Sequence, residues 1–158
     1  MRMHSMAIAV VVAGVTGTAA ANLHLATSAP NYDPGQTVVF TVRNDHAEAV
    51  EIPAFPYWKI LEQATGDLGA PCTSLPTIHS IDPGEEEQHS WNQLMCDGGL
   101  PATPGTYLLR VDYYLESAPG VYLQSGVPFC IGGGCDLPVG VEDRVVESPW
   151  GRVKASYR

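Results

Sequence analysis

The chain has 158 residues and carries 17 acidic side chains against 8 basic ones, a formal charge of −9. A carboxylate excess of this size argues against nucleic acid or an anionic membrane surface as the partner, because both would repel it. The length suits one domain with its own hydrophobic core.

Met1-Arg2-Met3-His4-Ser5 opens the chain with positive charge, an apolar run follows over 6–15, and small residues fill 17–21. That order is the pattern of a secretory signal peptide, with cleavage expected after Ala21. The apolar run is about ten residues, short of the about 20 that a membrane-spanning helix needs. The expected mature protein is therefore soluble, without a membrane span, and secreted, periplasmic or held at the cell surface. Losing Arg2 with the leader leaves 7 basic against 17 acidic side chains, a charge of −10. The oligomeric state is left open.

The mature chain reads as short strands separated by turns. A first strand is expected over 22–29, with Leu23 and Leu25 on one face. Pro34-Gly35 then turns the chain, and 37–43 alternates Val38, Phe40 and Val42 with Thr37, Val39 and Thr41. Period-2 spacing of this kind marks a half-buried strand. Val50 and Ile52 begin another strand, 57–62 extends again after a proline-broken segment, and Thr65-Gly66-Asp67 closes a hairpin. Residues 70–77, with two prolines and Cys72, form a pinned loop. Further strands are expected over 87–94, 106–115 and 120–129, with Trp91 available to the core.

Pro-Gly pairs recur at 34–35, 83–84, 104–105 and 119–120. Proline presets φ at the second position of a tight turn, and glycine tolerates the positive φ that a type II turn needs next. Seven or eight short strands with such punctuation predict an all-β protein, an immunoglobulin-like antiparallel β-sandwich. The expected organisation is a signal peptide at 1–21, the sandwich at 22–135, and a linker with a basic tail at 136–158.

Cys72, Cys96, Cys130 and Cys135 are an even set in a short exported chain, which predicts two disulfides. Of the three possible connectivities, the glycine-rich spacing favours Cys130–Cys135. The remaining bond, Cys72–Cys96, would close a loop of about 25 residues and contribute about 3 kcal/mol. A four-thiolate zinc site would require paired C-x-x-C spacing, which is missing.

The tail has its own pattern. Ser148 can cap a helix, Pro149 suits its first position, and Trp150, Val153 and Tyr157 recur on one face while Arg152, Lys154 and Arg158 stand elsewhere. A sorting tag, a docking helix and a frayed terminus all fit this pattern. Trp150, Lys154, Tyr157 and Arg158 are therefore candidate partner-binding residues.

Four segments carry a family resemblance: Thr37-Val38-Val39-Phe40-Thr41-Val42-Arg43-Asn44, Tyr57-Trp58-Lys59-Ile60 before Thr65-Gly66-Asp67, Ile81-Asp82-Pro83-Gly84-Glu85 with Trp91, and Pro104-Gly105-Thr106-Tyr107. In their order and spacing, from Gly35 to about Tyr113, the chain resembles the BsuPI-type intracellular proteinase inhibitor family of immunoglobulin-like domains. The resemblance implies a sandwich and inhibition of a proteinase. Tyr107, directly after a Pro-Gly pair, fits either a tyrosine-corner role or a plain core position.

Three places could carry chemistry. Cleavage after Ala21 would leave Asn22-Leu23-His24 as the amino terminus, and an α-amine, two amide nitrogens and an imidazole make a square-planar site for Cu(II). His79 and His89 flank the acidic stretch of Asp82 and Glu85-Glu86-Glu87, which could gather a metal or titrate as a pH-sensitive edge. In Pro53-Ala54-Phe55-Pro56-Tyr57-Trp58, the aromatics Phe55, Tyr57 and Trp58 either anchor a partner or fill the core. No nucleophile elbow, zinc-protease helix or phosphate loop is present, so the chain is not expected to be an enzyme, and no cofactor is expected. The function expected is non-catalytic binding of a protein or cell-envelope component, a proteinase among the candidates. The alternatives are copper binding through His24 and an enzyme of unrecognised type.

Overall fold

Alternation of side chains sets the layers. In β3 (Val38–Asn44), Val38, Phe40, Val42 and Asn44 are buried while the residues between them are half-exposed. In β9 (Gly105–Leu115), Tyr107, Leu109, Val111 and Tyr113 are buried in the same rhythm. Each fully buried side chain of this size contributes about 1.5–3 kcal/mol, so the two strands supply much of the core. The computed structural model describes residues 22–137 and 144–145, and the regular structure among them is all strand. The expected signal peptide and most of the tail lie outside the described residues.

An antiparallel sheet is built from β1 (Leu23–Thr27), β3 and β8 (Glu86–Trp91) in the order β1-β3-β8. The facing sheet is centred on β9. On one side β9 pairs along its length with β10 (Leu123–Ile131). On the other its first half pairs with β5 (Trp58–Glu62) and its end with β4 (Val50–Ile52). Short strands extend this sheet: β6 (Leu68–Ala70) beside β5, β7 (His79–Ile81) beside β4, and β2 (Asn31–Tyr32) parallel to the end of β10. The expected immunoglobulin-like antiparallel β-sandwich is what forms.

Eleven strands occur among the described residues where the pattern predicts seven or eight. The excess is short: β2 has two residues, and β6 and β7 have three. The fourth is β11 (Arg144–Val145), which pairs with Gln124 and Leu123 inside the stretch read as a linker.

Three of the four Pro-Gly pairs turn as expected. Gly35, Gly84 and Gly120 have φ of +81°, +78° and +90°, with turn hydrogen bonds from Gln36 N–H to Asp33, Glu85 N–H to Asp82 and Val121 N–H to Ala118. The fourth does something else: Gly105 opens β9 as a strand residue. There Tyr107 reaches back across Pro104 and donates its hydroxyl to the Thr103 carbonyl at 2.8 Å, while its ring is fully buried. It fills both roles the sequence left open, corner and core.

Both disulfides form with the expected connectivity, Cys72–Cys96 and Cys130–Cys135. The second is closed by Gly132, Gly133 and Gly134, all at positive φ between 75° and 82°, a run that residues with a Cβ would resist. A buried glutamine adds another tie. Gln93, only 1% exposed, accepts from Gly35 N–H at 2.7 Å and donates to the Asp33 carbonyl at 2.9 Å, fastening the β2–β3 turn to the end of β8.

Candidate functional site

Beyond β6 the chain leaves the sheet and runs exposed from 72 to 78 before β7 begins. A free loop of this composition would wander, yet this one is held at two points. Cys72 is bonded to Cys96, with Cα atoms 4.9 Å apart. Leu75 is paired in both directions with Phe55, N–H to carbonyl at 3.0 and 2.7 Å. Antiparallel pairing places both side chains on one side of the bridge. Phe55 and Leu75 thus share an apolar face on a fixed frame, 44% and 67% exposed, and Ile78, three residues further along the loop, is 63% exposed. Isolated exposed apolar residues need no explanation, but several on a pinned loop and the segment paired with it do.

Directly beneath lies a polar cluster. Glu87 and His89 occupy the inward face of β8, next to Val42 and Phe40 of β3. The Phe55 ring centroid is 5.9 Å from that of His79, and Tyr57 stacks on His79 at 4.6 Å and 11°. Tyr57 itself is 2% exposed. Its hydroxyl is 2.7 Å from Glu87 Oε2 and 2.8 Å from His89 Nε2, and Glu87 Oε1 is 2.9 Å from His79 Nε2.

Proton counting orders these contacts. A tyrosine hydroxyl has one hydrogen, and the carboxylate can only accept. Tyr57 therefore donates to Glu87, His89 Nε2–H donates to the Tyr57 oxygen, and His79 Nε2–H donates to Glu87. The histidine tautomers follow from this count. Burial, reinforced by Glu87, pushes the Tyr57 hydroxyl far above its ordinary value. Burial also acts on Glu87, but hydrogen bonds from Tyr57 and His79 outweigh it and hold the carboxyl below its usual range. His89 is held below the ordinary imidazole value, chiefly by burial, against an opposing pull from Glu87.

The sequence-based candidates are distributed as follows. Of the aromatic stretch, Phe55 is on the surface, whereas Tyr57 is buried and cannot serve as a surface anchor; it closes the polar cluster instead. Trp58 is half-buried with its ring edge-on to Phe40 at 5.0 Å and 78°. His79 and His89 do converge, through Glu87. Asp82, Glu85 and Glu86 stay outside: Glu85 caps the backbone N–H of Asp82, and Glu86 lies on the solvent face of β8. Among the described residues no group of three His, Cys, Asp or Glu side chains is arranged to hold a metal.

Asn22, Leu23 and His24 enter β1. The Asn22 carbonyl accepts from Asp45 N–H, buried Leu23 stands opposite Asn44, and His24 is exposed opposite Arg43. A four-nitrogen copper site would require these residues to lift from β3. Trp150, Lys154, Tyr157 and Arg158 lie outside the described residues. No sequence signal pointed to Leu75 and Ile78 as surface residues or to Tyr57 as the link between the histidines, since the pairing with Phe55 and the contact across layers are tertiary.

No family model matches the chain, and no curated protein matches it either. Among solved structures, it is similar to a β-glucosidase from Listeria innocua in complex with gluconolactone, at 16% identity and a TM-score of 0.28. That match covers 74% of this chain and 17% of the glucosidase. A likeness this slight assigns neither fold nor activity.

Proposed function

We propose that this is a non-catalytic binding module of an oxidising, extracytosolic compartment, which docks a protein or cell-envelope partner on the Phe55, Leu75 and Ile78 face. One observation carries the reading: Leu75 and Ile78 stand exposed on a segment fixed by a disulfide, and a reciprocal backbone pair holds exposed Phe55 against it. A pre-ordered apolar face loses little conformational entropy on binding, which is how rigid recognition loops gain affinity. Two disulfides in one small domain support the compartment. A proteinase belongs among the partners to be tested, on the resemblance to the proteinase inhibitor family.

The test starts with affinity capture from the native envelope and secreted fractions, followed by calorimetry of the purified partner against the full chain. Leu75→Asp and Ile78→Asp are each expected to weaken a saturable complex by roughly 30-fold, as for an interface hot spot. A panel of secreted endopeptidases is assayed for inhibition in parallel. Complexes whose affinity ignores both substitutions, or the absence of any saturable partner, would defeat the reading.

A further inference from the structure

Both sides of the Phe55–Leu75 bridge are anchored to a single carboxylate. Tyr57, two residues beyond Phe55, donates to Glu87 Oε2 at 2.7 Å. His79, directly after Ile78, is 2.9 Å from Glu87 Oε1. Little else holds the two segments. Among the described residues, the loop between Cys72 and β7 is bonded through its backbone by the reciprocal Phe55–Leu75 pair and by Thr77 N–H to the Leu75 carbonyl. β7 has three residues, whereas β8, which carries Glu87, is paired with β3 from Glu86 to Trp91. Segments with few backbone bonds open at lower free energy than fully paired strands.

With the imidazoles neutral, Glu87 carries the charge of the cluster and accepts both bonds. A protonated Glu87 has a hydrogen of its own to place and loses the charge that strengthens them. Protonated imidazoles then face a neutral carboxyl: His89 Nε2 is 3.4 Å from Glu87 Oε2, and charge on His79 opposes charge on His89. The titratable groups facing Glu87 are Tyr57 from the 53–57 segment, His79 from β7, His89 from β8 and the more distant Glu85. β3 presents Phe40 and Val42, and β4 presents Ile52 opposite His79, all of them apolar.

We infer that Glu87 is an acid-sensitive latch: its protonation frees Tyr57 and His79, opens the Phe55–Leu75 pair and releases the partner docked there, while the sandwich stays folded. Release of a partner presupposes the binding reading; opening of the frame does not. The sign follows from the folded values. Glu87 and His89 are both held low, so the closed form takes up protons less readily than the open one and closure weakens as pH falls. Glu87 is held below the ordinary 4.5, so its share is lost only as pH drops below that value. The Cys72–Cys96 bond does not titrate and tethers the opened loop.

The test is amide hydrogen exchange by NMR on the purified full chain, each rate divided by that of an unstructured amide at the same pH. Protection at Phe55 and Leu75 is expected to fall about 10-fold or more between pH 7 and pH 3.5, while Leu109 in β9 stays protected about a thousandfold. The midpoint should coincide with titration of the Glu87 carboxyl carbon. Glu87→Gln is expected to show at pH 7 the exchange that wild type shows at pH 3.5, with Leu109 still protected; should that variant not fold, the wild-type coincidence decides alone. Protection at Phe55 and Leu75 that ignores pH, collapses together with Leu109, follows a titration other than that of Glu87, or survives in a folded Glu87→Gln chain would overturn the inference. So would a captured complex as tight at pH 3.5 as at pH 7. A chain whose frame opens in acid but which captures no partner would instead overturn the binding reading and leave the latch standing.

Discussion

Replacing Tyr57 by phenylalanine removes one oxygen and leaves the ring where it is. The hydroxyl links Glu87 at 2.7 Å and His89 at 2.8 Å, on a side chain only 2% exposed. A hydrogen bond to a charged acceptor contributes about 1.5–3 kcal/mol and a neutral one about 1 kcal/mol, with some relief where Glu87 finds water. Tyr57→Phe should therefore cost about 2–3 kcal/mol, read as the denaturant midpoint at constant m-value. The pH dependence should change with it. His89 is depressed below the ordinary 6.5, so its contribution to stability is present above that value and lost as pH falls through it toward the folded value. Glu87 is depressed below the ordinary 4.5, so its contribution is lost at lower pH still, as the folded value is crossed. Both act in the same direction, and wild type should weaken progressively on acidification from pH 7.5. The groups facing the cluster are Tyr57, His79 and the more distant Glu85. Without the hydroxyl Glu87 rises toward its ordinary value, so the acid limb of the variant should be shallower. A midpoint within about 0.5 kcal/mol of wild type at pH 7.5, or an unchanged acid limb, would refute the proton order described above.

Other perturbations have expected outcomes. A Cβ on Gly69 would stand 3.0 Å from Trp91 Cζ2 and 3.3 Å from the Ile60 carbonyl, so Gly69→Ala should cost about 1–3 kcal/mol by overpacking and shift the tryptophan fluorescence. Tyr107→Phe removes the bond to Thr103 and should cost about 1 kcal/mol, with no change in near-native spectra. Cys72→Ala/Cys96→Ala opens a loop of 24 positions and should cost about 3 kcal/mol. That variant should also raise hydrogen exchange at Leu75 and Thr77, while exchange in β9 stays slow.

What was legible in the sequence follows from range. The Pro34-Gly35, Pro83-Gly84 and Pro119-Gly120 turns are decided by φ preferences within four residues, and β3 and β9 by the period of their own side chains. The disulfide pairing was readable because Gly132, Gly133 and Gly134 make one closure easy. Pro104-Gly105 was misread as a plain turn because the Tyr107 bond that fixes it comes from inside the following strand. β6, β7 and β11 are too short to show a period, and exist because β5, β4 and β10 offer them an edge. The candidate site was half legible. His79, Glu87 and His89 are near one another in sequence, but Tyr57 joins them from a segment 30 residues before Glu87. Likewise the sequence leaves Phe55 open as partner anchor or core aromatic, and its exposed position beside Leu75 depends on a pairing 20 residues away.

The most direct measurement places a photo-reactive amino acid at position 75, and separately at Gln36 on the exposed β2–β3 turn, and exposes each protein to the native envelope and secreted fractions. The account predicts a saturable adduct of defined mass from position 75, competed by unlabelled wild type, and none from position 36. Equal labelling from the two positions, or none from position 75, would contradict a binding face built on Phe55, Leu75 and Ile78.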